Sequence, residues 1–206
     1  MRAPTASSLI VLLAAACGTA AADEVRRVHR FDTAGIEHLH IDYSAGELVL
    51  MPADGDRIEV ELRLEPRQER SAREGRLEDV DLASRLRGDR LTLSFKARDV
   101  HSRMLVSLPP VKRLSIDAGA GEVQGTLPPV AAEVRLGAGD IDLHLDRSVT
   151  GRVDLRAWVG DTALHGGRNV KTRRAMLVGS TSSAVGQGSL PVEAKVRVGD
   201  VRVGLR

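Results

Sequence analysis

The sequence predicts an all-β fold, specifically a single-stack β-solenoid (parallel β-helix-like) with coils of about 20 residues. Three observations predict it. The first is a recurring glycine–acid step at Gly46-Glu47, Gly121-Glu122, Gly139-Asp140, Gly160-Asp161 and Gly199-Asp200. From Glu122 onward the acids stand 18, 21 and 39 residues apart, and the long interval holds Gly179-Ser180 near its middle, a copy without its acid. The second is strict apolar–polar alternation on both sides of these steps, which is the period of a half-buried strand and not of a helix. The third is the near absence of aromatic residues: Phe31, Tyr43, Phe95 and Trp158 are all there are. A core of Val, Leu, Ile and Ala suits thin β layers.

Taken in order, residues 1–22 read as a signal peptide. Arg2 is a short charged start, Leu9 to Ala16 form an apolar run, and Ala20-Ala21-Ala22 precede Asp23 as a cleavage pattern. A second reading stays open, in which Cys17 is the lipidated residue of a lipoprotein signal. That cysteine is the only one in the chain, so a chain cut after Ala22 has no disulfide, thiolate metal site or Cys nucleophile. No later run is long and apolar enough to be a transmembrane segment, and the expected location is periplasmic or secreted. The domain then spans 23–206. Leu39-Ile41-Tyr43 and Leu48-Leu50 flank the first corner, Ile58-Val60-Leu62-Leu64 alternate, and residues 65–76 form a charged, exposed insertion. Leu91-Leu93-Phe95 and Met104-Val106-Leu108 follow. Leu114-Ile116-Ala118, Val134-Leu136-Ala138, Val153-Leu155-Ala157-Val159 and Val192-Ala194-Val196-Val198 lead into the later corners. Gly46, Gly121, Gly139, Gly160, Gly179 and Gly199 are the expected structural corners, because a sharp turn between strands favours a residue that tolerates positive φ. Stacking such coils about 4.8 Å apart buries a continuous aliphatic core.

The run from Met104-Leu-Val-Ser-Leu-Pro-Pro through Leu114-Ser-Ile-Asp-Ala-Gly-Ala-Gly-Glu-Val to Val134-Arg-Leu-Gly-Ala-Gly-Asp-Ile resembles the bacterial putative-adhesin family of β-solenoid domains, also called toast-rack domains. The resemblance covers roughly residues 30–206. It implies an envelope-associated β-helical solenoid and no catalytic residues.

The residues themselves point to no cofactor, no catalytic group and no metal site. The balance of 30 Lys+Arg against 28 Asp+Glu offers no general basic field for nucleic acid. The outward pairs Glu133/Arg135, Asp154/Arg156 and Glu193/Lys195 read as a solvated face of alternating sign. Asp140, Asp142 and Asp161 would be the carboxylates of a carbohydrate-active enzyme, but such an enzyme needs aromatic sugar platforms that one Trp does not supply. If one corner keeps its spacing without an acid, glycine shapes the turn and the acids are surface decoration. His144 and His165 each lie four residues after a corner acid and are expected to stack on adjacent coils; His38 and His40 share a strand face with Asp42. Trp158 is expected to point outward, cover the bare Gly137 of the preceding coil, and form a small partner patch with Leu177. The leading reading is an exported, non-enzymatic interaction, adhesin-like or scaffold module of the envelope, with a protein or glycan partner. The alternatives are the carbohydrate-active enzyme and a structural spacer that self-associates through an open coil end, since the chain stops at Val201-Arg-Val-Gly-Leu-Arg206, still in strand alternation.

Overall fold

The computed structural model describes residues 24–66, 77–96, 100–174 and 179–206; residues 1–22, expected as a signal peptide, residues 67–76 and Leu177 lie outside them. Within them the chain is all-β. Its strands are β1 (Val25–Asp32), β2 (His38–Pro52), β3 (Arg57–Pro66), β4 (Ala83–Arg87), β5 (Arg90–Phe95), β6 (Val100–Leu108) and β7 (Arg113–Thr126). They continue as β8 (Ala131–Leu145), β9 (Thr150–Val159), β10 (Thr162–His165), β11 (Arg168–Arg174), β12 (Ser180–Val185), β13 (Leu190–Val198) and β14 (Val201–Leu205). All fourteen belong to one sheet. Glu65 and Pro66, expected in the charged insertion, instead end β3, where they pair with His101 and Val100.

The central strands run parallel in strict register. Leu39, Leu114 and Ala132 share one row, as do Ile41, Ile116 and Val134, and these side chains are buried. Each fully buried aliphatic side chain stabilises by about 1.5–3 kcal/mol, and a one-residue slip would turn the whole set to solvent. The alternation has one deliberate break. Tyr43 and Leu48 both face the core although they are an odd number of positions apart, so an unbent strand would point them to opposite faces. The break is made at Gly46 (φ +124°), and the same backbone recurs at Gly121 (+118°) and Gly139 (+121°) within β7 and β8. Gly160 (+129°) and Gly199 (+131°) carry it between β9 and β10 and between β13 and β14. These glycines stack: a Cβ on Gly121 would overlap the carbonyl of Gly46, one on Gly139 that of Gly121, one on Gly199 that of Gly139, and one on Gly160 that of Gly199.

That column shows that the layers do not stack in chain order. The last layer, β13 with β14, lies between β8 and the β9/β10 layer. Apolar content decides the order. Val192, Ala194, Val196, Val201, Val203 and Leu205 are at most 5% exposed, which requires a neighbour on both sides. The described residues between β10 and β13 have no such set. Every residue of β11 is exposed, and β12 turns Ser180 and Ser182 inward. There Thr162 Oγ1 lies 2.7 Å from Ser182 Oγ, and Ser180 Oγ donates to Thr162 Oγ1 at 3.0 Å, so these buried hydroxyls satisfy one another.

Gly179 is consequently not a corner. An added Cβ on it would meet the Trp158 and Ala157 carbonyls and not another glycine of the column, and β12, which follows it, runs antiparallel to β9, with Ser180 opposite Ala157. Nor is the C-terminus an open end: β14 is held between β8 and β10, which removes the premise for self-association through it. Antiparallel pairs close the stack instead, β4 on β5 at one end and β11 on β12 at the other. Four of the seven residues of β11 are Arg or Lys, a charge density that discourages pairing at an edge.

Candidate interaction face

The stack order rearranges the outward columns. Spatial neighbours along one of them are Asp42, Asp117, Arg135, Lys195, Arg156, Thr181 and Arg173. The column therefore begins acidic and ends basic. In its middle the charges are paired: Arg135 with Glu133 and with Asp117, Lys195 with Glu193 at 2.7 Å, and Arg152 with Asp154. At the basic end Arg156, Lys171 and Arg173 have no carboxylate partner among the described residues.

Trp158 stands at this end. It is 46% exposed, and so is its neighbour Val159 at 42%, because the chain leaves the alternation as it enters the Gly160 bend. Val159, expected inward, thus faces solvent. The Arg156 guanidinium lies 5.0 Å from the centroid of the indole, a cation–π geometry that fixes the ring. Trp158 does not cover Gly137, since β13 intervenes; with Val196 opposite Ala157 and Val198 opposite Val159, its neighbour on that side is Arg197. A bare glycine does flank it, on the other side: a Cβ on Gly179 would come 2.5 Å from the Trp158 carbonyl oxygen.

The corner acids have a structural task that spacing alone did not reveal. Asp140 Oδ1 accepts from the Asp200 amide at 2.9 Å, Asp200 Oδ1 accepts from the Asp161 amide at 3.0 Å, and Asp161 Oδ1 accepts from Arg174 Nη2 at 2.9 Å. Three layers and the end hairpin are linked by one carboxylate–amide chain, so these acids are not decoration. Engaged in this way, Asp140 and Asp161 hold the layers together. Asp200→Ala leaves the Asp161 amide without its acceptor. It is expected to cost about 1–2 kcal/mol in a urea titration, with Asp142→Ala as the near-neutral comparison.

The histidines do not combine. Gly204 of β14 lies opposite both His144 and His165, so a strand separates the two imidazoles. His38 Nε2 is 3.0 Å from Ser115 Oγ; burial, with Arg90 and Arg113 nearby, pushes its pKa below the ordinary histidine value. His40 Nδ1 is 3.9 Å from Asp117 Oδ2. No group of three or more His, Asp or Glu among the described residues is arranged to hold a metal. A hollow of about 980 Å³ lies at the corner of β2, β7 and β8 and is lined by Glu47, Glu122, Asp140, Arg63, His101 and Arg103. Glu24 and Glu65 line it too, so carboxylates outnumber the cations there; Arg103 Nε lies 3.2 Å from Glu47.

No family model matches the chain, and no curated protein does. Among solved structures, a putative cell adhesion protein from Clostridium sporogenes matches with a TM-score of 0.56 at 11% identity, over 89% of this chain and 100% of that one. A putative adhesin from Bacteroides fragilis matches with a TM-score of 0.31 at 9% identity, over 88% of this chain and 98% of that one. The chain shares its fold with the first of these.

Proposed function

We propose that this chain, sharing the fold of a cell-adhesion-type protein, is an exported β-solenoid that acts as a non-enzymatic interaction module of the bacterial envelope. The solenoid reading is supported by the parallel layers that turn at one column of five positive-φ glycines. Export is supported by the leader at 1–22, with maturation before Asp23 or at a lipidated Cys17. The observation that carries the function is Trp158: a large aromatic, half exposed, held rigid on a strand by Arg156 and left uncovered by a neighbouring glycine. A pre-ordered aromatic with one polar flank is the kind of group that dominates recognition energies. Trp158→Ala should weaken retention of the mature protein on envelope extract or arrayed glycans by at least about tenfold, a loss of about 1.4 kcal/mol or more, with the circular dichroism unchanged. Undiminished retention would remove the patch from consideration. Mass spectrometry of the exported protein distinguishes an N-terminal Asp23 from a lipidated Cys17.

A further inference from the structure

The registers of β9, β12 and β11 place three outward rungs side by side. They read Arg152–Val185–Arg168, Asp154–Ser183–Lys171 and Arg156–Thr181–Arg173. The middle member is short in every rung, and the outer members are all long Arg or Lys except Asp154. The three strands therefore form a trough, with β12 as its floor and β9 and β11 as its walls, holding about 450 Å³. Strands stand about 4.8 Å apart, so the walls are separated by roughly 10 Å, which admits one extended polymer chain and excludes a flat bilayer surface. The floor presents the hydroxyls of Thr181 and Ser183. The walls are cationic on both sides; of the two carboxylates that line the hollow, Asp154 is paired with Arg152 and Glu193 with Lys195. Arg156, Lys171 and Arg173 have no anionic partner among the described residues, so their charge is open to a ligand. At the end of the trough the next rung is Trp158 beside Gly179, a half-exposed indole with the Arg156 guanidinium over its ring.

We infer that this trough binds a linear acidic glycan, with anionic groups between Arg156 and Arg173, sugar hydroxyls on Thr181 and Ser183, and one ring stacked on Trp158. The inference rests on the interaction-module reading and specifies its ligand class. Cations on two walls answer carboxylate, phosphate or sulfate alike, hydroxyls on the floor match a polyol, and the plate at the end matches a sugar face.

The test measures binding of the mature protein to oligogalacturonate, to a heparin oligosaccharide, to a neutral dextran of equal length, to a single-stranded oligonucleotide and to vesicles containing phosphatidylglycerol. Variants are Arg156→Gln with Arg173→Gln, Thr181→Glu to place an anion on the floor, and Trp158→Ala. The expected result is binding of at least one acidic glycan in preference to dextran. The double variant should weaken it about tenfold, as expected for two exposed ion contacts, and Thr181→Glu should weaken it further, each with unchanged thermal stability. Comparing the two acidic glycans tells carboxylate from sulfate. Acidic glycan binding that is indifferent to the double variant and to Thr181→Glu, preference for vesicles or for the oligonucleotide, or no glycan binding at all would each overturn the inference. If no acidic glycan binds but retention on envelope extract still depends on Trp158, only the ligand class fails. If that retention is also absent, the interaction-module reading fails with it.

Discussion

Gly139→Ala should lower the stability of the protein by about 3–5 kcal/mol and its thermal midpoint by roughly 10 °C. Two penalties combine. An alanine at φ +121° is strained wherever it occurs, and here its Cβ would also overlap the Gly121 carbonyl. The obstacle is the backbone of the adjacent layer, itself held by hydrogen bonds to β2 and β8, so no side chain can move aside. Gly55 separates the two penalties: its φ is +103° but nothing lies within 4 Å of an added Cβ. Gly55→Ala should therefore cost only the strain, about 1 kcal/mol. Equal losses for the two variants, measured by calorimetry, would show that the stacked glycines are chosen for their dihedrals alone.

Between pH 10 and 12 the wild type should lose about 2–3 kcal/mol that a Tyr43→Phe variant keeps. Tyr43 is 1% exposed. Its hydroxyl lies 2.7 Å from Ser102 Oγ and 2.9 Å from the Ser102 carbonyl oxygen, and Ser102 Oγ donates to the Ala45 carbonyl at 2.7 Å. Burial pushes the phenol from its usual 10.0 up to about 12, with the nearby Glu47 acting in the same direction. A raised pKa means that the folded state keeps a proton the unfolded chain has already released. The contribution is complete below pH 10 and is lost as pH rises through about 12. Urea titrations of both proteins at pH 8 and pH 11.5 measure the difference. At pH 8 the variant should be less stable by about 1 kcal/mol, because its Ser102 partners lose a hydrogen bond; parallel pH profiles would contradict the account.

Much of this molecule was legible from residue order. The alternation around Leu114, Ile116, Val134 and Leu136 placed the strands and their core face, since period-2 patterning is a local property. Gly46, Gly121, Gly139, Gly160 and Gly199 were legible because a positive-φ bend leaves a compositional trace. The outward position of Trp158 followed from the burial of Ala157 beside it. Gly179 misled because its spacing imitates a corner, although Arg168 to Arg174 supply none of the inward apolar residues that a layer arm requires. That composition was the available sign that the segment doubles back as a hairpin.

By itself, then, the sequence determined that the chain is all-β, which side chains face inward, and where the strands bend, because each of these depends on residues within a few positions of one another. Only the tertiary structure decided which layer lies beside which. The apolar layer, β13 with β14, is drawn to the interior of the stack, and the hydroxyl-rich, charged hairpin of β11 and β12 is left at its end, because burial favours the first and penalises the second. The carboxylate–amide chain from Asp140 to Asp161 and the cationic trough beside Trp158 both follow from that order. A net charge of +2 averages over the separation of charge along the stack. No spacing rule shows it, because Arg156 and Arg173 become neighbours only across a strand that runs the other way.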